Sequence, residues 1–391
     1  MKKIAFWTPY MGNIGTIKAT IHSASALKKF DENLDITLFK IYSEWEGYEE
    51  EIKSKNIHIT DFELKKRFKK LPKYGFMYRI SMLLIMFYST PKLIKYFNEE
   101  KPDVIFAYLQ GVTPIIARIF AKHKPKIILS IQGLPDFLAS NEVYKEYPLY
   151  KKLESKLRIF IWKKLYSKAD YIIALTEKTK NSLKQFLNTE NIIYIPNPII
   201  DKEEIINNSN EKIEENLFLE GEYILAIGRL TKQKDFVTLI KSFKIVNQSF
   251  KNLKLIILGE GEERENLTIL IKNLDLENKV ILYGFVSNPY KYLKNAKLFV
   301  LSSLWEDPGH VLMESAFLKI PIVATNCPND VDKFLMYGKA GYLCEIGNEK
   351  DMADKIIQAL QNNNKEKIEL AYKQSLNFTE ENFYNNTRDI F

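Results

Sequence analysis

Two carboxylates lie eight positions apart in a segment of the chain that reads WEDPGHVLMESA. Glu306 precedes a Pro-Gly turn, and Glu314 lies in the helical pattern that follows the turn. The first backbone N–H groups of that predicted helix, near Gly309, His310 and Val311, have no intrahelical partner and carry the positive end of the helix dipole. Such amides bind anions, and carboxylates accept hydrogen bonds from ribose and hexose hydroxyls. The segment therefore predicts a site for a nucleotide sugar.

A basic loop follows the first strand that we predict in the C-terminal half of the chain, in the segment GRLTKQK. Gly228 allows a tight turn, and Arg229 and Lys234 lie five positions apart on a loop that leads into a predicted helix at 235–249. The two cations can converge on a diphosphate, whose charge must be neutralised as it departs in a sugar transfer. The alternative is a basic loop that only contacts solvent.

Both segments resemble motifs of the retaining glycosyltransferases of family 4, which have the GT-B fold: a Gly-Arg … Lys element, and two Glu residues separated by seven others. The resemblance is strong from Tyr223 to about Tyr342 and weaker, but consistent, in the first half of the chain. It implies an α/β protein with two Rossmann-like, doubly wound domains that face a central cleft. It also implies that Glu306, Arg229 and Lys234 are catalytic, and that the reaction needs no metal and no other cofactor.

Two further loops complete the donor site that the resemblance implies. Gly259 and Gly261 lie in the segment LGEGE and look like the family's Gly-x-Gly loop, which lines the nucleotide site. Phe285 and Val286 follow the next predicted strand, where the family's loop packs on the base; ordinary core packing is the alternative for each of them. The predicted donor-binding residues are these four together with Glu314, Gly309, His310, Val311 and Gly228.

Four positions in the N-terminal half are candidates for the acceptor site. Gly12 and Gly15 follow the first predicted strand, where glycines let the backbone approach a phosphate or an acceptor; the family usually has adjacent glycines there. Gln132 and Gly133 stand where the family often has a His-Gly pair whose His contacts the transferred sugar. Gln forms hydrogen bonds but cannot act as a base near pH 7. This favours a transfer in which the leaving phosphate oxygen takes the acceptor proton, as is proposed for the family.

The sequence does not predict a metal site. Asp330 and Asp332 form the Asp-x-Asp pattern of metal-dependent sugar transferases, but that motif belongs to another fold, and we interpret the two carboxylates as part of a solvated surface. The family usually has Gly and Glu where this chain has Asp330 and Lys333, so we assign no role to these residues. Cys327 and Cys344 are too few for a disulfide framework or a metal cluster.

The chain has 391 residues and a formal net charge of +8 that is unevenly distributed. Residues 1–200 contain 33 Lys and Arg against 20 Asp and Glu, whereas residues 201–391 contain 24 against 29. A basic half suggests contact with a polyanion or an anionic membrane. No zinc finger, RNP motif or Arg-rich tail supports a nucleic-acid partner. Because no apolar run reaches roughly 18 residues and no signal-peptide core follows Met1, we predict a cytoplasmic protein.

The length and the alternation of strands with helices predict two domains with parallel sheets. We predict an N-terminal domain at 1–200 and a C-terminal domain at 201–378, with the polar segment 201–220 as a linker. The resemblance implies that the final segment, 379–391, crosses back to the first domain. The predicted strands are 2–7, 36–42, 104–108, 126–131, 171–175, 192–195, 223–227, 253–258, 280–283, 298–301 and 321–324.

Two stretches of the N-terminal half combine cations with apolar residues. Six cations lie within 65–73, directly before the apolar run 76–88. In the second stretch, 151–168, one face of a predicted helix carries apolar residues with Lys and Arg around them, namely Leu153, Leu157, Phe160, Ile161 and Leu165. Each stretch predicts either a helix at an anionic membrane surface or a core helix with a charged outer face. The first leaves both interpretations open, and the second favours the core helix.

These observations favour retaining transfer of a hexose from a UDP- or GDP-sugar to a glycan or lipid-linked acceptor. The expected role is synthesis of a cell-surface polysaccharide (lipopolysaccharide, capsule or exopolysaccharide), with the protein cytoplasmic or peripheral on the cytoplasmic face of a membrane. A GT-B-like nucleotide-sugar epimerase is an alternative, but it needs carboxylate or His acid–base groups in the first half, where Gln132 stands. A nucleic-acid-binding protein would leave Glu306 and Glu314 unexplained.

Overall fold

The chain forms two compact units: unit 1 contains Met1–Pro198 and Glu380–Phe391, and unit 2 contains Ile199–Thr379. The boundary at Pro198 and the predicted boundary at residue 200 differ by two residues. The computed structural model describes residues 1–9, 15–69, 71, 75–108, 111–132, 149–213, 221–306, 309–328 and 330–391.

Unit 1 is built on a seven-stranded parallel sheet with the order β3-β2-β1-β4-β5-β6-β7. Its central strands are nearly continuous apolar runs, because helices cover both faces of the sheet. The strand order reverses between β1 and β4, as in doubly wound folds. The strands are β1 (Lys2–Trp7), β2 (Leu34–Lys40), β3 (His58–Asp61), β4 (Val104–Ala107), β5 (Lys126–Ile131), β6 (Tyr171–Ala174) and β7 (Ile192–Tyr194).

Helices pack on the two faces of this sheet in separate layers. One face packs against α4, α5, α6 and α7, and the other packs against α1 and α2. The helices are α1 (Gly15–Phe30), α2 (Glu49–Ser54), α3 (Leu64–Arg67), α4 (Gly75–Glu100), α5 (Val112–Phe120), α6 (Leu149–Leu165) and α7 (Glu177–Leu187).

Unit 2 is built on a six-stranded parallel sheet with the order β10-β9-β8-β11-β12-β13. The order reverses between β8 and β11, so unit 2 is doubly wound like unit 1. Its strands are β8 (Tyr223–Ile227), β9 (Lys254–Leu258), β10 (Val280–Gly284), β11 (Leu298–Leu301), β12 (Ile322–Thr325) and β13 (Tyr342–Cys344). Its helices are α8 (Lys202–Ser209), α9 (Phe236–Ser249), α10 (Arg264–Asn273), α11 (Tyr290–Lys294), α12 (His310–Phe317), α13 (Val331–Phe334), α14 (Glu349–Gln361) and α15 (Lys365–Ser375).

The last helix, α16 (Glu380–Thr387), belongs to unit 1 and packs on α1. Lys29 Nζ lies 3.3 Å from Glu380 Oε2, and the rings of Phe30 and Tyr384 stack with centroids 5.8 Å apart. Phe383 is buried in the same core cluster as the inner face of α1.

All eleven predicted strands are present, but the sequence analysis did not identify β3 and β13. Both are short edge strands, and β3 reads His-Ile-Thr-Asp with an exposed residue at each end. β3 contains one apolar residue and β13 has three residues in all, so neither shows the longer apolar run that identified the other strands.

The predicted linker at 201–220 is wrong over its first part, which forms α8 of unit 2. Asp201 caps this helix by accepting hydrogen bonds from the backbone N–H groups of Glu203 and Glu204, both at 3.1 Å. Ile205 is buried in the core of unit 2. The polar composition of this segment therefore reflects one buried residue per turn on a short surface helix.

No helix in the described part of the chain has both the length and the apolar character that a bilayer span requires.

Candidate active site

Three candidate residues of unit 2 lie where the strand order of its sheet reverses. Arg229 and Lys234 lie on the loop after β8, and Glu306 lies on the loop after the neighbouring strand β11. Ligands of open α/β sheets bind beyond the carboxyl ends of the strands at such a reversal. The sheet topology therefore brings together two elements that are far apart in the sequence.

A buried ion pair joins these two elements. Lys234 Nζ lies 2.6 Å from Glu306 Oε1, across 72 positions of sequence. The Lys234 side chain is 20% exposed, whereas that of Glu306 is 5% exposed. Glu306 Oε1 also accepts a hydrogen bond from the Ser303 hydroxyl. The carboxylate is thus held in one orientation, while the ammonium keeps two more N–H donors beside solvent.

Three further hydrogen bonds tie the loop after β8 to the loop after β11. The Ser302 hydroxyl donates to the Lys234 carbonyl at 2.6 Å, and the Leu304 N–H donates to the Gln233 carbonyl at 2.8 Å. The Gln233 side-chain amide donates to the Trp305 carbonyl at 2.8 Å. Sequence reasoning missed Ser302, Ser303 and Gln233. The available signal for the two serines was their position directly after a buried strand, where functional loops begin.

Glycines allow the loops beneath this ion pair to pack closely. The Lys234 side chain lies over Gly228, where a Cβ would be 3.1 Å from the lysine Cε. Gly259 has a φ of +139°, and a Cβ there would lie 1.9 Å from the Gly228 carbonyl oxygen. A Cβ at Gly261 would lie 2.4 Å from the Leu230 carbonyl oxygen. Gly259 and Gly261 therefore let the loop after β9 support the loop that carries Arg229 and Lys234.

Arg229 is exposed at the start of the loop after β8. Within the described ranges, no carboxylate lies at ion-pair distance from its guanidinium, in contrast to Lys234. An exposed guanidinium offers five N–H donors in a planar fork that suits phosphate oxygens. Arg229 is thus available to an anionic ligand at the strand reversal of unit 2.

The helix α12 begins directly after the Glu306 loop. His310 is its first residue, Val311 its second, and the Leu312 N–H donates to the Gly309 carbonyl at 2.9 Å. A Cβ at Gly309 would lie 3.4 Å from the Glu306 Cγ. The residue that precedes α12 therefore lies next to the buried Glu306 side chain. Asp307 and Pro308 lie outside the described residues. The positive end of the α12 dipole is therefore close to Glu306.

Tyr290 holds the second candidate carboxylate. Its hydroxyl donates a hydrogen bond to Glu314 Oε1 at 3.1 Å. Burial, and after it the charge of Glu314, raises the pKa of Tyr290 well above its usual value, so the phenol stays protonated and remains a donor. The Tyr290 N–H in turn donates to the Asn288 side-chain oxygen at 3.0 Å. Sequence reasoning missed Tyr290, because nothing local links it to a residue on α12.

The two apolar candidates after β10 have different surroundings. Phe285 is 78% exposed, whereas Val286 packs against the core of unit 2. The core-packing alternative therefore describes Val286 and not Phe285. An exposed aromatic ring after β10 has a free face on which a nucleobase could stack.

The candidates in unit 1 have neutral partners. Gln132 and Asn197 form two hydrogen bonds: Asn197 Nδ2 donates to Gln132 Oε1 at 2.9 Å, and Gln132 Nε2 donates to Asn197 Oδ1 at 3.4 Å. Gln132 Nε2 also donates to the Ser130 hydroxyl at 2.7 Å. Gly15 is the exposed first residue of α1, and a Cβ there would meet no atom within 4 Å. Gly12 and Gly133 lie outside the described residues.

Among the described residues, no group of three His, Cys, Asp or Glu side chains is close enough together to hold a metal ion. Asp330 Oδ1 instead pairs with Lys333 Nζ at 2.8 Å. Burial raises the pKa of the Cys327 thiol to about 11 and that of the Cys344 thiol to about 12. Both cysteines are free and buried, so they remain protonated and belong to the core of unit 2.

The two basic stretches of unit 1 have different surroundings. Lys65 pairs with Glu46 and Lys66 pairs with Glu63, and of the other four predicted cations Lys70 and Lys73 lie outside the described residues. The preferred interpretation of 151–168 as a helix with an apolar core face is wrong for Leu157 and Phe160, which are 59% and 60% exposed. Other residues of α6 supply its contact with the core.

Two family models match the chain in succession. The model described as Glycosyltransferase Family 4 matches residues 58–203, and the model described as Glycosyl transferases group 1 matches residues 207–374. The first match lies in the N-terminal half, and the second contains every candidate residue of unit 2.

Curated relatives match along most of their length. An uncharacterized glycosyltransferase of Methanocaldococcus jannaschii is 31% identical over 86% of this chain and 87% of its own. An N-acetylgalactosaminyltransferase of Campylobacter jejuni, whose name specifies a diphospho-undecaprenol-linked acceptor, is 32% identical over 69% of each chain.

Solved glycosyltransferase structures share the fold of the whole chain. A glycosyltransferase from Rickettsia africae has a TM-score of 0.75 at 15% identity and covers 100% of this chain and 97% of its own. The HepE protein of Anabaena, solved with UDP and glucose, has a TM-score of 0.69 at 17% identity and covers 100% of this chain and 99% of its own. The sequence matches, the two doubly wound parallel sheets and these structures together lead to one conclusion: the chain belongs to the family 4, group 1 glycosyltransferases and has the GT-B fold.

Proposed function

We propose that this glycosyltransferase transfers a hexose with retention of anomeric configuration from a UDP- or GDP-sugar, without a required metal. The acceptor is a glycan or a lipid-linked sugar, and the product contributes to a cell-surface polysaccharide. Unit 2 takes the nucleotide sugar, and the basic unit 1 takes the acceptor. The protein works in the cytoplasm or on the cytoplasmic face of a membrane.

The observation that carries this proposal is the Lys234–Glu306 ion pair at the strand reversal of unit 2. A nucleotide sugar presents a diphosphate next to hexose hydroxyls, and it needs cations and hydrogen-bond acceptors at adjacent positions. Arg229, the remaining donors of Lys234 and the first amides of α12 suit the diphosphate. Glu306 and Glu314 suit the hydroxyls, each already oriented by a hydroxyl donor of its own, Ser303 and Tyr290.

The proposed step balances without a base from the protein. The bond between the hexose C1 and the diphosphate oxygen breaks, and the oxygen keeps the electron pair. The acceptor hydroxyl forms its bond to C1 on the same face of the sugar, and its proton passes to the departing phosphate oxygen. Gln132, which is hydrogen-bonded to Asn197 and Ser130, is in keeping with this route because it can orient a hydroxyl but cannot accept its proton.

The names of relatives support a cell-surface polysaccharide. The Campylobacter jejuni relative acts, by its name, on a diphospho-undecaprenol-linked sugar. A capsular polysaccharide biosynthesis glycosyltransferase of Staphylococcus aureus is 29% identical over 68% of this chain. The excess of 33 basic over 20 acidic residues in 1–200 suits a lipid-linked acceptor that carries phosphates, or the anionic membrane that holds it.

A thermal-shift screen against UDP-, GDP-, ADP- and dTDP-sugars tests the donor. A ligand at about 100 times its Kd adds about 2.7 kcal/mol to the free energy of unfolding, which raises the melting temperature measurably. We expect one nucleoside class to stabilise the protein, with UDP- and GDP-sugars as the leading candidates. If none of the four classes shifts the melting temperature at saturating concentration, the proposed donor is excluded.

The product and the metal requirement are then tested with the preferred donor. We expect proton NMR of the product to show the anomeric configuration of the donor, and turnover to persist in excess EDTA. An inverted product would contradict retention. Turnover that disappears in EDTA and returns with manganese would contradict the metal-independent route.

A further inference from the structure

The outer surface of α6 combines exposed apolar side chains with lysines. Leu157 and Phe160 are 59% and 60% exposed, and Lys156, Lys163 and Lys164 are exposed beside them. Successive residues of an α-helix are rotated by about 100°, so these five side chains lie within an arc of about 120°. We call these five residues the α6 face.

The orientation of α6 is fixed by other side chains. Ser155 is buried, and Trp162 and Leu165 pack against the core cluster that also contains the inner faces of α4, α5 and α7. The Trp162 ring stacks on Tyr166 with centroids 4.4 Å apart. Leu157 and Phe160 therefore point away from a core that is already filled. Apolar side chains that are exposed together on one helix mark an interaction surface.

Neighbouring helices of the same layer also expose apolar residues. Ile80, Leu83 and Phe87 recur at helical spacing on α4, and Phe87 is 71% exposed. Phe120 is 70% exposed at the end of α5, which packs against both α4 and α6. On the opposite face of the sheet, the described residues of α1, α2 and α16 include one exposed large apolar side chain, Phe30, and it stacks on Tyr384. Exposure of this kind is therefore a property of one face of unit 1.

The charge of α6 indicates what covers this face. The 17 residues of the helix include six Lys and Arg and one acidic residue. In the part of the chain that the structure describes, no carboxylate pairs with Lys156, Lys163 or Lys164. The lysines of the earlier basic stretch differ, because Lys65 and Lys66 each pair with a glutamate. Lys163 Nζ lies over the Phe186 ring, 5.2 Å from its centroid, and Lys156 and Lys164 present positive charge to an external anion beside the apolar residues.

We propose that the α6 face, with the exposed apolar residues of α4 and α5, docks unit 1 on an anionic lipid bilayer. Leu157 and Phe160 enter the boundary between head groups and acyl chains, and the lysines bind lipid phosphates while their stems follow the apolar surface. The purpose of this docking rests on the proposed function, because a lipid-linked acceptor lies in the plane of the membrane. The docking itself is independent of sugar transfer and is measured without a nucleotide.

Co-sedimentation with vesicles tests this surface. We expect the protein to bind phosphatidylcholine vesicles that contain phosphatidylglycerol at about 0.1 M salt, and to be released at about 1 M salt, where the Debye length falls from about 10 Å to about 3 Å. Pure phosphatidylcholine vesicles should bind it weakly. Replacing Lys156, Lys163 and Lys164 with Gln should lower the vesicle affinity about 100-fold, since each basic residue near an anionic surface contributes a factor of about five. Leu157→Ser with Phe160→Ser should lower it about tenfold.

Matched variants in unit 2 control for charge and for exposed apolar area. The charge control is a triple variant in which Lys251, Lys272 and Lys350 are replaced with Gln. The apolar control is a double variant, Ile206→Ser with Ile269→Ser, and all five positions are exposed. We expect both controls to bind vesicles like the parent, and all variants to keep its melting temperature and its affinity for the nucleoside diphosphate. Equal loss in the controls, or no binding to anionic vesicles by the parent, would overturn the proposal.

Further outcomes separate the membrane assignment from a dimer interface and from the proposed function. A dimer in solution that Phe160→Ser dissociates, without vesicle binding, would assign the face to a second copy of the chain and overturn the membrane assignment. Vesicle binding that persists when no nucleotide sugar acts as a donor would retain the docking surface and reject the proposed function alone. Sugar transfer to a soluble acceptor without any vesicle binding would reject the docking surface and retain the assignment as a sugar transferase.

Discussion

At the carboxyl edges of the two parallel sheets, the candidate residues differ in charge. In unit 2 the loops at this edge carry a buried ion pair, Lys234–Glu306, and an exposed cation, Arg229. In unit 1 the described side chains at this edge include the amide pair Gln132–Asn197, which is neutral at every pH at which the protein is folded. The loops after β1 and β4, at the strand reversal of unit 1, lie partly outside the described residues.

The difference matches the two tasks of the proposed reaction, which are binding of the sugar diphosphate and orientation of the acceptor. In the proposed reaction a sugar diphosphate requires charge neutralisation at the moment that its bond to C1 breaks, a task that suits the charged edge of unit 2. In the same proposal the acceptor hydroxyl requires orientation only, a task that suits neutral amides. The comparison predicts that loss of charge at the edge of unit 2 has large effects, and that loss of an amide at the edge of unit 1 has small ones.

Glu306→Gln should have the largest effect. The substitution keeps the shape of the side chain but removes the negative charge that faces Lys234 and that we propose to face the sugar hydroxyls. We expect kcat to fall by about 10²-fold or more, the scale of a single group that stabilises a transition state. Steady-state kinetics with the preferred donor measures this.

The matched control for this prediction is Glu366→Gln, at an exposed position of α15 in the same unit. It should leave kcat unchanged. If Glu306→Gln retains near-parental turnover with each active donor, the charged edge is not catalytic and the comparison between the two edges fails.

Arg229→Ala and Lys234→Ala should weaken binding of the nucleoside diphosphate by about 1.5–3 kcal/mol each, since a hydrogen bond to a charged group contributes on this scale. Their effects on stability should differ. Removing Lys234 takes the cation away from a buried carboxylate, which costs about 3 kcal/mol, whereas Arg229 is exposed. Calorimetric titration and the melting temperature measure the two effects.

Lys232→Ala is the control, because Lys232 is an exposed cation on the same loop. It should change neither quantity. Unchanged affinity in both Arg229→Ala and Lys234→Ala would remove the diphosphate from this loop. A melting temperature that falls equally for the two variants would contradict the special role of the buried pair.

Gln132→Ala should have the smallest effect, within about tenfold in kcat/KM, because the residue orients a hydroxyl and transfers no proton. The pH dependence of kcat should stay like that of the parent. Gln185→Ala, at an exposed position of α7, is the control. A loss of about 10³-fold for Gln132→Ala, or a new step in its pH profile, would show that the edge of unit 1 takes part in the chemistry and that the two edges are less different than proposed.

Much of the fold follows from short-range patterns. The eleven predicted strands are apolar runs between helical segments, and the pattern that identifies them is complete within each segment. The strands β3 and β13 lack this signal because β3 contains one apolar residue and β13 has three residues in all. The helix α8 has one buried anchor, Ile205, in a polar segment, and such a segment has the composition of a linker.

The sequence by itself determined the alternation of strands and helices, the identity of the family and the two motif segments around Arg229 and Glu306. Local composition and spacing encode these features, so no knowledge of distant contacts is needed. Only the tertiary structure decided which residues meet: Lys234 with Glu306 across 72 positions, and Tyr290 with Glu314 across 24. It also decided that Phe160 faces outward. The physical reason is the same in each case, because strand order and helix rotation set these contacts, and both depend on the packing of the whole unit and not on any single segment.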